Sequence, residues 1–79
     1  MDLFEDVLLD TTGLRCPEPV MLLHNKMRDL NAGQVLKLIA SDPSTQRDVP
    51  KFCLFLGHKL LAHKQEDSCY VYWLKKSAS

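Results

Sequence analysis

Apolar and polar positions follow two rhythms along this chain of 79 residues. Over 34–40 they alternate, with Leu36, Leu38 and Ala40 on one side and Val35, Lys37 and Ile39 on the other, which predicts a strand. A shorter strand is predicted at Val7, Leu8, Leu9 and Asp10, ended by the turn-forming run Thr11-Thr12-Gly13. Between the two, Val20, Leu23, Met27 and Leu30 repeat at helical spacing, which predicts a helix from about 17 to 30. Arg28 near its end suits the helix dipole, and Asn31-Ala32-Gly33 offers a glycine C-cap. Strand, helix and strand in succession predict a right-handed parallel βαβ unit.

The second half begins with Ser41-Asp42-Pro43-Ser44, a strand breaker that also supplies helix caps. Val49, Phe52, Cys53 and Leu56 then mark the buried stripe of a second helix, closed by Gly57-His58. Pro50 lies inside this helix and removes one backbone hydrogen bond. Either the helix bends there, or its first turn is irregular and Asp48 is the effective cap. Residues 59–64 and 69–75 read as a β-hairpin joined by Gln65-Glu66-Asp67-Ser68. The order β-α-β-α-β-β predicts an α/β fold, a two-layer sandwich with a mixed four-stranded sheet and two helices on one face. The whole chain, 1–79, is expected to form one domain. Val35, Ile39, Val71 and Trp73 would then lie on the helix-free face, a candidate partner surface.

Composition narrows the function classes. Lysine plus arginine and aspartate plus glutamate number ten each, so no net field draws the chain to nucleic acid or to an anionic membrane. A small RNA-binding module is disfavoured on that ground. The first six residues are acidic and lack the basic start and apolar run of a signal peptide, and no apolar run is long enough to span a bilayer. Three cysteines without paired spacing make no disulfide framework. A cytoplasmic location fits these features.

The chemistry concentrates in Gly13-Leu14-Arg15-Cys16-Pro17-Glu18-Pro19-Val20. Proline suits the first turn of a helix and pushes the residue before it toward extended backbone. Cys16 is therefore expected at the N-cap, where the positive helix end favours a negative group such as a thiolate. Pro17 and Pro19 contribute no donors, and the Glu18 carboxylate opposes a thiolate while Arg15 supports it. Cys16 is read as reactive through accessibility. Arg15, with Arg47 and Lys51 at the start of the second helix, would line a basic rim suited to a partner's acidic groups.

Other chemistries fit less well. Cys53 falls on the apolar stripe of the second helix and reads as a buried core residue, and Cys69 starts a strand. The cysteines and histidines lack the close spacing of a zinc site, so no metal is expected. No cofactor is expected either, because glycine is too sparse for a phosphate-binding loop. His24, two turns along the first helix, is too far to act as a base for Cys16, and nothing orients His58 or His63. An accessible cysteine with neither base nor metal is left with thiol exchange. Without a C-x-x-C partner it needs another thiol to resolve a disulfide, whereas carrying sulfur as a persulfide needs one cysteine only. A regulatory interaction domain with an incidental cysteine is the remaining alternative.

Leu9-Asp10, the run from Gly13 to Val20, Asp42-Pro43 and Arg47-Asp48-Val49-Pro50 resemble the SirA/TusA family of sulfur carrier proteins, and the likeness runs over nearly the whole chain. The resemblance implies a βαβαββ sandwich and a sulfurtransferase that acts as a persulfide carrier. It implies that Cys16 accepts sulfane sulfur from a cysteine desulfurase, supported by Pro17, Glu18 and Pro19. The sulfur would pass to a downstream sulfur-relay protein and on to 2-thiolation of a tRNA wobble uridine, with tRNA met only indirectly. Cys69 lies outside the family pattern.

Overall fold

A computed structural model describes residues 4–77. Residues 1–3 of the acidic start and the last two of the Ser77-Ala78-Ser79 tail lie outside the described residues. The elements are β1 (Val7–Thr11), α1 (Glu18–Asp29), β2 (Val35–Ala40), α2 (Thr45–Leu56), β3 (Lys59–Glu66) and β4 (Cys69–Lys75). The strands form one sheet in the order β1-β2-β4-β3. β1 and β2 are parallel, and β4 pairs antiparallel with both β2 and β3. The chain thus has the α/β class and element order that its periodicity predicts.

Burial follows the pleat. Leu36, Leu38 and Ala40 of β2 stand beside Leu74, Tyr72 and Tyr70 of β4, and all but Tyr70 are buried. Leu23 and Met27 of α1 and Val49, Phe52 and Cys53 of α2 close over this face and form one core. Both helices therefore cover one side of the sheet. Burying an aliphatic side chain of this kind contributes about 1.5–3 kcal/mol, which is why the stripes decide the packing. Leu56, expected on the stripe of α2, is 41% exposed instead. It is the last residue of the helix, just before Gly57 turns the chain away with a φ of 75°.

The helix-free face departs from a bare apolar patch. Val71 is buried, and Val35, Ile39 and Trp73 are half-buried. The ammonium groups of Lys37 and Lys64 lie 5.3 Å and 5.7 Å from the Trp73 ring centroid.

Three boundaries differ from the expected ones. The C-cap of α1 is Leu30, in an extended conformation, so Gly33, with a φ of 89°, serves the following turn and not the cap. β3 continues to Glu66, which pairs with Cys69, leaving Asp67-Ser68 as a two-residue turn with Asp67 at a φ of 53°. Aspartate tolerates this left-handed conformation better than most residues. The first turn of α2 enters through bonds from Thr45 and Gln46 to the carbonyls three residues back, and Ser44 is its N-cap. Asp48 is therefore not the cap, and α2 runs on through Pro50, on its exposed side.

Candidate functional site

Cys16 lies between the end of β1 and the start of α1, with its side chain exposed. The backbone ahead of it is tied down in steps. Asp10 accepts hydrogen bonds from the backbone N–H and the hydroxyl of Thr12, and these hold its carboxyl below the usual carboxylate range. Leu14 N–H donates to the Thr11 carbonyl, and Gly13 N–H donates to the Ser41 hydroxyl at 2.8 Å. Gly13 has a φ of 87°, a turn conformation in which a Cβ is strained. The Cys16–Pro17 peptide bond is cis.

The N-cap of α1 is Pro17, one residue later than expected. The chain makes a tight turn first, in which Glu18 N–H donates to the Arg15 carbonyl at 2.9 Å. Glu18 supplies the one N–H that the proline spacing leaves between positions 17 and 19, and that donor is engaged by the Arg15 carbonyl. Among the described residues no N–H at the start of α1 bonds to the sulfur.

The side chains that hydrogen-bond to Cys16 are two aspartates, Asp42 of the β2–α2 connection and Asp48 of the first turn of α2. The Asp42 carboxylate accepts the backbone N–H of Ser44 and that of Cys16, and the two bonds hold its carboxyl below the usual range, with a smaller contribution from the Arg15 charge. Asp48 reaches the side chain: its Oδ2 is 3.5 Å from Cys16 Sγ, within hydrogen-bonding range for a thiol donor. Its other oxygen, Oδ1, accepts from Arg47 Nε at 3.0 Å. The charge of Arg47 is favoured chiefly by that bond, then by the nearby carboxylate itself.

On the helix side of the sulfur an open groove runs between α1 and α2. Cys16, Pro17 and Val20 line one wall, and Asp48, Lys51, Phe52, Phe55 and Leu56 the other. Phe55 is 83% exposed, and Met21 and Leu54 are exposed on the outer surfaces of the same two helices. Leu54, Phe55 and Leu56 are three consecutive exposed apolar side chains, and Phe55 and Leu56 line the groove with the cysteine. A second, polar depression on the other side of Cys16 is lined by Arg15, Asp42 and Ser44.

Pro17 and Lys51 line the groove with Cys16, Arg15 lines the polar depression, Arg47 joins the site through Asp48, and Glu18 and Pro19 follow in the first turn of α1. Pro19 is buried and anchors the first turn of α1. The remaining cysteines lie elsewhere: Cys53 is in the core, and Cys69 pairs with Glu66 at the far hairpin. The histidines do not line the groove. Phe52 separates His24 from His58, at ring distances of 6.0 Å and 5.7 Å, and His63 stacks on Tyr72. Sequence reasoning missed Asp42 and Asp48 as neighbours of Cys16. The Asp42-Pro43 and Arg47-Asp48-Val49-Pro50 runs that carry the family resemblance were the available signal.

Fold and site together define a two-layer α/β domain that presents one accessible thiol beside an apolar groove. A solved SirA-like protein from Desulfitobacterium hafniense has the same fold, with a TM-score of 0.80 and 18% identity over 90% of this chain and 97% of that one. The family model described as Sulfurtransferase TusA matches residues 7–76. The chain is 61% identical to the sulfur carrier protein TusA of Pseudomonas entomophila, over 98% of this chain and 96% of that one. It is 62% identical to its counterpart in Pseudomonas aeruginosa, over 92% of each. The chain belongs to the TusA family of sulfurtransferases.

Proposed function

We propose that this protein is a sulfur carrier that holds sulfane sulfur as a persulfide on Cys16. The reading is carried by one observation: within a chain of this family, Cys16 is the exposed thiol at the head of the Cys-Pro-Glu-Pro motif, while Cys53 is buried and Cys69 lies on the hairpin. In loading, the Cys16 thiolate attacks the outer sulfur of a persulfide on a cysteine desulfurase. A bond forms to Cys16 Sγ, the donor's S–S bond breaks, and the donor cysteine leaves as a thiolate. Unloading repeats the step with an acceptor thiolate from the next protein of the relay. Sulfur moves without net oxidation, so neither step needs a metal or a redox cofactor.

The surroundings of Cys16 suit exchange between proteins. Phe55, Leu56 and Val20 offer an apolar seat, and Lys51, Arg47 and Arg15 offer charges at its edges for an acidic partner. The relay leads to 2-thiolation of the tRNA wobble uridine in the cytoplasm, with tRNA contacted by later proteins. Nucleoside analysis of tRNA from cells lacking the gene tests this route. Loss of 2-thiouridine, restored by the parent and not by Cys16→Ser, is the expected result. Unchanged 2-thiouridine in those cells contradicts the route.

A further inference from the structure

Around Cys16 the one group hydrogen-bonded to the sulfur, among the described residues, is the Asp48 carboxylate. From its position we infer that Asp48 is a specificity-determining residue, one that keeps anionic small thiols away from the sulfur on Cys16. The inference rests on the reading that Cys16 carries a persulfide.

A persulfide on an exposed cysteine is open to any thiol. A small thiolate attacks the outer sulfur and bonds to it, and the S–S bond to Cys16 breaks with its electron pair left on Sγ. The outer sulfur and its proton leave as a small-molecule persulfide, and the cargo is lost. Small thiols that also carry carboxylates approach as anions. The charge nearest the reacting sulfur therefore discriminates among them before any contact is made.

The geometry places that charge. Asp48 Oδ2 is 3.5 Å from Sγ, while Oδ1 is bonded to Arg47 on its other side. The carboxylate thus bonds the sulfur through one oxygen and the guanidinium through the other. Of the two charges it is the one in hydrogen-bond contact with the sulfur, although the Arg47 charge also acts on Cys16. Asp48 is also the more enclosed partner, its side chain 22% exposed against 66% for Arg47, so it is held while the arginine extends into solvent. The other nearby charges are less direct. Asp42 is engaged with two backbone N–H groups, Arg15 lines the polar depression with it, Lys51 lines the apolar groove, and Glu18 is exposed at the start of α1. A unit charge about 4 Å away in water changes the encounter of a charged reactant by about fivefold. The effect weakens as salt shortens the screening length below about 8 Å. A docked protein overrides it, because its contacts with the groove hold the incoming sulfur in place.

Two methanethiosulfonates test this on the unloaded protein, one bearing a trimethylammonium group and one a sulfonate. The Cys16 thiolate attacks either, forming a disulfide and releasing a sulfinate. Rates are read by mass spectrometry in a Cys69→Ser background. The cation-to-anion rate ratio is expected to fall several-fold in Asp48→Asn, the cation slowing while the anion speeds, to persist in Asp48→Glu, and to shrink in high salt. A purely structural role for Asp48 would move both reagents alike, and an unchanged ratio in Asp48→Asn overturns the inference. This arm needs no persulfide, so it reads out even if loading fails. On the loaded protein, Asp48→Asn is expected to lose sulfur several-fold faster to glutathione, an anionic thiol, and no faster to cysteamine, a cationic one. Equal losses from parent and variant to glutathione also overturn it.

Discussion

The sulfur of Cys16 lies 3.5 Å from a carboxylate oxygen of Asp48, 32 positions further along the chain. The backbone N–H of the same cysteine is held by Asp42. The loop that presents the thiol is therefore fastened by its backbone to the β2–α2 connection and by its side chain to the first turn of α2, although its own helix is α1.

The Asp42 bond gives a pH dependence. Hydrogen bonds from Ser44 and Cys16 lower the Asp42 pKa in the folded state, so their stabilisation is present above the unfolded pKa and is lost as pH falls through the folded one. The amide resonance of Cys16 should hold its position from neutral pH down through the ordinary carboxylate range. It should move only at more acidic pH. Movement centred at the ordinary aspartate value shows that the bond is not kept in solution.

Replacing the thiol should not disturb the fold. Cys16 is exposed, and its loop is held by backbone groups and prolines. Urea melts of Cys16→Ser and the parent should agree within about 0.5 kcal/mol. A loss of several kcal/mol means that Cys16 packs as a core residue.

Cys53 should behave in the opposite way. Burial pushes its thiol pKa up to about 11, so it should resist alkylation in the folded protein. Cys53→Ser places a hydroxyl in the core at a cost of about 1–3 kcal/mol, whereas Cys53→Ala should still be loaded with sulfur. With its pKa raised on folding, Cys53 contributes stability that is complete below the unfolded thiol pKa and is lost as pH rises toward 11. Cys53→Ala should flatten this alkaline loss in urea titrations. A part should remain, because burial also raises the pKa of Tyr72. An alkaline slope identical to the parent's shows that Cys53 ionises freely in the folded state.

The groove and its edges separate two contributions to docking. Phe55 is 83% exposed, so Phe55→Ala should leave stability nearly unchanged and slow loading by a desulfurase. Arg15→Glu should slow loading several-fold through the association rate, and added salt should slow the parent likewise. Loading that responds to Phe55→Ala but to neither charge nor salt assigns docking to apolar contacts alone.

Local features of this fold are legible in the sequence, and contacts between distant segments are not. Alternation at Leu36, Leu38 and Ala40 and the helical stripes at Leu23, Met27, Val49 and Phe52 announce their elements because burial acts on each element separately. The proline spacing likewise marks Cys16. Asp48 next to the sulfur is hidden, because that contact depends on how α2 settles against the β1–α1 loop. The exposed groove is hidden for a related reason. Phe55 and Leu56 read as ordinary apolar residues until the end of α2 leaves them uncovered. Lys37 and Lys64 over Trp73 alter the helix-free face through cross-strand pairing, which periodicity within one strand does not report.

The most direct test of the account is the mass of the intact protein after incubation with a cysteine desulfurase and cysteine. The parent, Cys53→Ala and Cys69→Ala should each gain one sulfur atom, about 32 Da, removable by a reductant. Cys16→Ser should gain nothing. A sulfur that still loads onto Cys16→Ser, or a parent that gains none, contradicts the claim that Cys16 carries the sulfur.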